Sequence, residues 1–159
     1  MNILLKSAII VDPESKHHLK KRDVLIEKGV IAKIAINITT TKKVKEISLP
    51  NLHISQGWFD SSVSFGEPGY EERETIKNGL KSAAFSGFTD VALNANCFPI
   101  TDSKANIQFM KSKSYNNPVG LHSIGALTME SKGVHLAELY DMKNEGAIAF
   151  YDYKEPIEN

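Results

Sequence analysis

The sequence predicts an α/β chain in which an all-β segment, residues 1–56, precedes a run of alternating strands and helices, residues 57–159. Three observations support this. Up to Gln56 the apolar stretches are short, rich in β-branched residues and separated by turn residues. From Gly57 onward, apolar residues recur at helical spacing in three stretches of about a dozen residues. Short apolar runs separate those stretches, which is the rhythm of βαβ units and a parallel sheet.

In the first segment, Ile3 to Val11 is an apolar run holding Lys6 and Ser7, and Asp12-Pro13 ends it. Asp23 to Glu27 and Val30 to Ile36 are strand-like and joined by Lys28-Gly29. Glycine at the second loop position tolerates positive φ, so the pair predicts a tight hairpin. Asn37 to Lys45 is polar and Thr/Lys-rich, a loop or exposed edge. Ile47 to Ile54 reads as a returning strand interrupted by Pro50.

In the second segment, Trp58 to Phe65 reads as a strand. Glu72 to Ser86 reads as a helix with Ile76, Leu80, Ala83 and Ala84 on one face and Gly87 as its stop. The charged Glu71-Glu72-Arg73-Glu74 is then a solvated first turn, with acids near the positive helix end. Phe88 to Leu93 is a second strand. Ser103 to Lys113 is a second helix, capped by Asp102 or Ser103, with Ile107 and Met110 facing inward. Val119 to Leu127 is a third strand, Val134 to Asn144 a third helix carrying Leu136, Leu139 and Met142, and Ala147 to Tyr151 a fourth strand. A complete (β/α)8, or TIM-type, barrel takes ~250 residues, so this segment covers about its first half, some four βα units.

Lysine plus arginine equals aspartate plus glutamate, 19 each. No basic excess therefore draws the chain to nucleic acid or to an anionic membrane. The longest apolar runs are too short to span a bilayer, and Met1 to Lys6 lacks the features of a signal peptide. The single cysteine, Cys97, allows no intrachain disulfide and makes a cytoplasmic location the expectation.

Gly57-Trp58-Phe59-Asp60-Ser61-Ser62-Val63-Ser64-Phe65-Gly66-Glu67-Pro68-Gly69 is similar to the Gly-φ-φ-Asp-x-His-x-His-φ-Arg-Glu-Pro-Gly motif (φ, apolar) of the dihydroorotases, a family of the amidohydrolase superfamily. Asp23 to Ile31 resembles the family's N-terminal hairpin, and Glu74-Thr75-Ile76 through Gly87-Phe88-Thr89 its first barrel helix and second strand. Asn96 and Pro99 occupy the place of a Pro-Asn-Thr-x-Pro segment. Ile124-Gly125-Ala126-Leu127-Thr128 and Gly146-Ala147-Ile148-Ala149-Phe150 resemble the third and fourth barrel strands. The resemblance runs over almost the whole chain. It implies a small N-terminal β-sandwich module over residues 1–56 and the first half of an amidohydrolase barrel over 57–159, as part of a longer chain.

Dihydroorotases hydrolyse or form a cyclic amide, converting between dihydroorotate and carbamoyl aspartate. An amide is a poor electrophile and water a poor nucleophile near neutrality. Zinc addresses both, lowering the pKa of bound water to ~7 and polarising the carbonyl. Histidines at i and i+2 of a strand point to one face and so reach one ion. Here those family positions hold Ser62 and Ser64, whose neutral hydroxyls are weak zinc ligands. Losing merely the groups that orient a ligand costs about 10–100-fold in affinity, and losing the ligands costs more. The arginine that binds the substrate carboxylate in the family is replaced by Gly66, which removes a planar, bidentate, charged contact. Metal and anchor fail together within residues 62–66, so the chemistry is expected to be abandoned and no cofactor is predicted. In the fourth strand the family reads Phe-Ser-Asp-Asp-Gly, where an aspartate can ligate metal. Here the stretch is Phe150-Tyr151-Asp152-Tyr153-Lys154, with Asp152 a possible remnant and either Asp152 or Tyr153 at the ligand position.

Other readings accompany each residue. Ser62 and Ser64 are a serine nucleophile pair or, in preference, small inward-facing groups filling an emptied site. Asp60 matches the family aspartate before the histidine pair and is expected to support local structure. Asn96 is either a substrate-binding residue, as the resemblance implies, or a turn residue ending the second strand. Cys97 reads as a buried, inert thiol. His17, His18, His53, His122 and His135 fall on no family ligand position and show no metal-ligand spacing. The first function hypothesis is a metal-free homologue kept as a structural or regulatory protein, for which the resemblance makes aspartate transcarbamoylase a candidate partner. The second is an active cyclic-amide hydrolase with ligands beyond residue 159. Half a barrel exposes strand edges and an apolar interior. The chain is therefore expected to meet the remainder of its own barrel or to form a homo-oligomer.

Overall fold

The computed structural model describes residues 1–157. The chain divides into two compact units, Met1–Gln56 and Gly57–Asn159.

The first unit is all β: β1 (Ile3–Val11), β2 (Lys21–Glu27), β3 (Val30–Ala35), β4 (Lys45–Ile47) and β5 (His53–Ser55). They join in one five-stranded sheet. The β2–β3 hairpin forms at the expected place, with positive φ at both Lys28 (52°) and Gly29 (82°). The return read over Ile47 to Ile54 is two short strands instead. β4 runs parallel to β1 along Ile3–Leu5, and β5 runs parallel to it along Ile9–Val11. Pro50 lies in the turn between them, where its missing N–H breaks no ladder. Leu4, Leu25 and Ile38 form the small core.

One buried carboxylate organises this unit. β1 is irregular between Leu5 and Ala8, with Ser7 at φ 54°. Asp23, 1% exposed, accepts the Ser7 N–H at 2.8 Å, the Ile38 N–H at 2.9 Å and the Lys6 ammonium at 2.5 Å. Burial alone pushes its pKa up. The hydrogen bonds from Lys6, Ser7 and Ile38 outweigh that and hold the carboxyl below the usual aspartate range.

The second unit alternates: β6 (Trp58–Val63), α1 (Ile76–Phe85), β7 (Phe88–Leu93), α2 (Lys104–Ser114), β8 (Gly120–Gly125), α3 (Leu139–Glu145) and β9 (Ala149–Phe150). The four strands form one parallel sheet in chain order, β6-β7-β8-β9. Side chains alternate along each strand. Val91, Leu93, Val119 and Leu121 pack with Ile76, Leu80 and Met110 of the helices. The opposite phase, Asp90, Ala92 and Asn94 on β7 with His122 on β8, lies on the other face. A smaller cluster, Ile107, Met142 and Ala147, joins α2 to α3. Among the described residues, no helix is long and apolar enough to cross a membrane.

Two helices start later than their periodicity suggests. α1 begins at Ile76, because Thr75 is extended (φ −85°, ψ 153°) and its hydroxyl accepts the Asn78 N–H. The acidic segment before it is a turn, closed by hydrogen bonds from Tyr70 N to Gly66 O and from Arg73 N to Tyr70 O. α3 begins at Leu139, since residues 135–137 are held extended. Leu136 bridges Thr128, and Ala137 N donates to Leu127 O. Leu136 is consequently 68% exposed rather than on the buried helix face. Ser103 holds the cap position of α2, but its hydroxyl bonds the Asn106 side chain instead of the backbone.

The Asp23 cage yields the first prediction. The folded carboxyl ionises below the ~3.9 of an unfolded aspartate. Its contribution is therefore complete above that pH and is lost as the pH falls through the folded value. Asp23→Asn should lower the urea midpoint at neutral pH, and the deficit should shrink once the pH drops below about 4. Paired urea titrations across that range check it; a deficit constant with pH would count against the cage.

Candidate active-site mouth at the strand ends

In parallel barrels, functional groups gather at the C-terminal ends of the strands. Ser62 lies near the end of β6, Ser64 just beyond it, Asn94 directly after β7, and Tyr151 directly after β9. Asn94 is 1% exposed and joins the others. Its Nδ2 donates to the Ser62 and Ser64 hydroxyls, both at 3.1 Å. Its Oδ1 accepts from the Tyr151 hydroxyl. Tyr153 continues the cluster: its hydrogen bonds with Ser64 and then Lys154 hold the phenol below its ordinary pKa. Both serines are thus brought together, facing the mouth. Asp60 serves locally, its Oδ1 accepting the Ser62 N–H at 3.0 Å.

The position of the family arginine has been rebuilt in backbone. Gly66 N–H donates to Glu74 O, and Gly66 O accepts from Tyr70 N–H, both at 2.7 Å. A Cβ on Gly66 would lie 1.7 Å from the Tyr70 carbonyl oxygen. The loop therefore has no room for an arginine there. Arg73 supplies a nearby cation, but it is engaged: it donates to Phe65 O at 3.2 Å and stacks over the Tyr70 ring at 4.7 Å.

Glu67, in the adjacent Glu-Pro-Gly segment, is buried. It accepts the Ile76 N–H at 2.9 Å and pairs with Lys113 at 2.7 Å. Its carbonyl accepts the Cys97 thiol at 3.3 Å. Burial pushes that thiol up to about 11, which leaves it protonated and unreactive near neutrality.

Asn96 lines a cavity of about 360 Å³ with Tyr70, Phe98, Tyr153 and Lys154, and its enclosed Oδ1 has no hydrogen-bond partner. Asp152 is buried and fully used. It accepts the N–H groups of Leu127 and Thr128 at 2.9 and 3.0 Å and the Thr128 hydroxyl at 2.5 Å. His122 lies lower on the sheet, 2.8 Å from Asp90, and that hydrogen bond holds the Asp90 carboxyl below its usual range. His18 Nδ1 accepts the Asp12 N–H at 3.1 Å in the first unit.

Zinc requires deprotonated or imidazole ligands. The mouth offers hydroxyls and an amide, already bonded to one another, while the Asp60 and Asp152 carboxylates accept backbone N–H groups. Among the described residues, no three His, Cys, Asp or Glu side chains form a group that could hold a metal. The residues present do not fit the family's ion. Two members of this cluster, Asn94 and Tyr151, escape sequence reading, and Tyr153 enters it only as an alternative to Asp152. The available signal is a polar residue closing an apolar strand, as Asn94 closes Phe88–Leu93, and the tyrosines flanking Asp152.

Comparison with known structures places the second unit in a class. An L-hydantoinase (dihydropyrimidinase) from Arthrobacter aurescens superposes with a TM-score of 0.74 and 18% identity over 93% of this chain and 32% of that one. A dihydroorotase superposes at 0.64 and 14% identity, covering 94% of this chain and 41% of that one. The fold is that of the amidohydrolase barrels, in part. The family model for dihydro-orotase-like proteins matches residues 53–158, and the chain belongs to that family. A dihydroorotase of Pelotomaculum thermopropionicum is 38% identical over all of this chain and 37% of its own length. One of Syntrophus aciditrophicus is 33% identical over all of this chain and 38% of its own length. The chain thus spans under two-fifths of these relatives.

Asn94→Ala should cost about 1–3 kcal/mol by removing the buried amide that ties Ser62, Ser64 and Tyr151, read as a lowered denaturation midpoint. Gly66→Ala should cost about 1–3 kcal/mol through the carbonyl clash. A neutral effect at Gly66 would show that the loop opens freely.

Proposed function

We propose that this chain is a metal-free member of the dihydroorotase-like family that neither forms nor opens a cyclic amide, and that it serves a structural or regulatory role. The carrying observation is the closed cluster of Ser62, Ser64, Asn94 and Tyr151 in place of metal ligands. The partners of the serines are an amide and a phenol, neither of which takes a proton from a hydroxyl near neutral pH. A serine nucleophile is therefore not activated. No arginine anchors a carboxylate at Gly66, and the backbone excludes one. For such a protein a catalytic enzyme of pyrimidine synthesis, aspartate transcarbamoylase among them, is the partner class to examine by co-purification.

Metal analysis with a carbamoyl aspartate cyclisation assay tests the reading. The expected result is no stoichiometric zinc and no ring closure above the uncatalysed rate. Bound zinc with turnover would establish instead an active cyclic-amide hydrolase.

The double variant Ser62→His/Ser64→His recreates the i, i+2 imidazole pair. Its zinc affinity should rise by at least about 10-fold, measured by competition with a chelator, while cyclisation stays absent. Cyclisation restored by these two changes alone would show that the arginine position is dispensable.

A further inference from the structure

The helical layer of the second unit carries a groove of about 490 Å³ between α1 and the turn that leads into β8. α1 turns Ile76 and Leu80 into the core. Lys77, Lys81, Ala84 and Phe85 stand at i, i+4, i+7 and i+8, so they share the neighbouring stripe of the helix. That stripe forms one wall of the groove, and Asn117 and Pro118 form the other. Phe85 is 83% exposed, a large ring left in water beside Ala84 and Pro118. Both flanks of the groove are in place: α1 packs on β7, α2 on β8, and the two helices on each other. Strands that follow β9 in a barrel add at the β9 edge, not between α1 and α2. Charge sets the groove apart from the rest of the layer. α1 holds two lysines and α2 three, and neither holds an acidic residue. Those on α2 are paired, Lys104 and Lys111 with Glu145 at 4.0 and 3.0 Å and Lys113 with Glu67 at 2.7 Å. Among the described residues, Lys77 and Lys81 have no acidic side chain within ion-pair distance.

We propose that this groove docks a short acidic segment of another protein, which sets an apolar side chain against Phe85 and its carboxylates against Lys77 and Lys81. Charge complementarity selects that occupant. The two lysines lie one helical turn apart, about 5–6 Å between Cβ atoms. Carboxylates at i and i+4 of a helix match that spacing, as do carboxylates at i and i+2 of a strand, about 6.6 Å apart. The apolar contact supplies affinity, and the ammonium groups select the sign of the partner and steer its approach. A second copy meeting this face about a twofold axis would set lysines against lysines. An anionic bilayer is held by clusters of about 4–8 basic residues, more than this stripe presents, and the formal net charge of +0 adds no wider attraction to lipid or nucleic acid. The groove belongs to the helical layer and not to the strand-end mouth, so the outcome of the cyclisation assay leaves the proposal unaffected.

NMR chemical-shift mapping on the whole chain, titrated with a short peptide that alternates glutamate with leucine and phenylalanine, tests the proposal. Saturable shifts are expected at Lys77, Lys81, Phe85 and Asn117. Binding should weaken several-fold between about 0.1 and 1 M salt, as the screening length falls from about 10 to 3 Å. Control peptides with lysine for each glutamate, or glycine for each apolar residue, should leave the same signals in place. Lys77→Glu/Lys81→Glu should weaken binding at least about 10-fold by like-charge repulsion, and Phe85→Ser comparably by loss of the aromatic anchor. All three side chains are exposed, so circular dichroism should be unaltered. No saturable shift at the groove overturns the proposal, as does an equal response to either control peptide. So do shifts there that depend on chain concentration without peptide, which assign the groove to a second copy, and binding to phosphatidylserine vesicles in place of the peptide. Should the variants fail to fold, the three peptides on the unaltered chain decide.

Discussion

The strand-end mouth depends on one amide. Asn94 follows the last residue of β7, and the period-2 alternation that turns Val91 and Leu93 into the helical layer turns Asn94 to the opposite face. Because β6 and β7 are parallel, with a register shift between Asp60↔Val91 and Val63↔Leu93, the serines after Asp60 arrive beside that amide. Only a group that both donates twice and accepts can serve two hydroxyls on β6 and a phenol after β9 at once. A carboxamide is such a group. The hub itself is buried, so its amide depends on these bonds for partners that water does not supply. The ends of three strands are therefore tied by an uncharged network, where a metal in a relative of this family would tie them by coordination.

The loop over residues 66–74 makes the loss of an anchor cation a matter of backbone geometry. Gly66 is held between Glu74 and Tyr70, and the Tyr70 carbonyl occupies the space a side chain would need. Changing one residue back does not recover a pocket whose wall is main chain. The serines differ in this respect, since they present exposed side chains on a strand whose path needs no alteration. The two departures from the family motif thus stand at different depths in the structure, one reversible by side chain and one requiring the loop to move.

Much of the fold was legible because apolar periodicity is imposed by burial. The strand over Phe88–Leu93, the inward residues Ile107 and Met110, and the Lys28-Gly29 hairpin all follow directly from it. Element starts were less legible, because competing local bonds decide them. Thr75 caps α1 after an acidic turn with good helix formers, and Leu136 is drawn into a bridge despite its helical spacing from Leu139. At the mouth, Ser62, Ser64 and Gly66 stood out by position in a motif. Asn94 and Tyr151 did not, since their roles arise from convergence of residues separated by up to 57 positions. Asp152 is placed by the same convergence: its oxygens accept from Leu127 and Thr128 across more than twenty residues of chain.

The uneven fate of the family motif has a physical explanation. Asp60, Glu67, Pro68 and Gly69 match it while the histidines and the arginine do not. The matching residues carry the fold. Asp60 holds the Ser62 N–H, and Glu67 caps the start of α1, pairs with Lys113 on α2 and receives the Cys97 thiol through its carbonyl. Removing this buried carboxylate strands the Ile76 N–H and breaks the Lys113 pair, which destabilises the fold. Imidazoles and a guanidinium that serve a metal and a substrate contribute nothing comparable to folding, so their replacement leaves the scaffold standing. A motif read as a unit conflates these two demands. Separated by what each residue touches, the same thirteen-residue stretch, Gly57 to Gly69, divides into residues whose contacts hold the fold and residues that face the mouth.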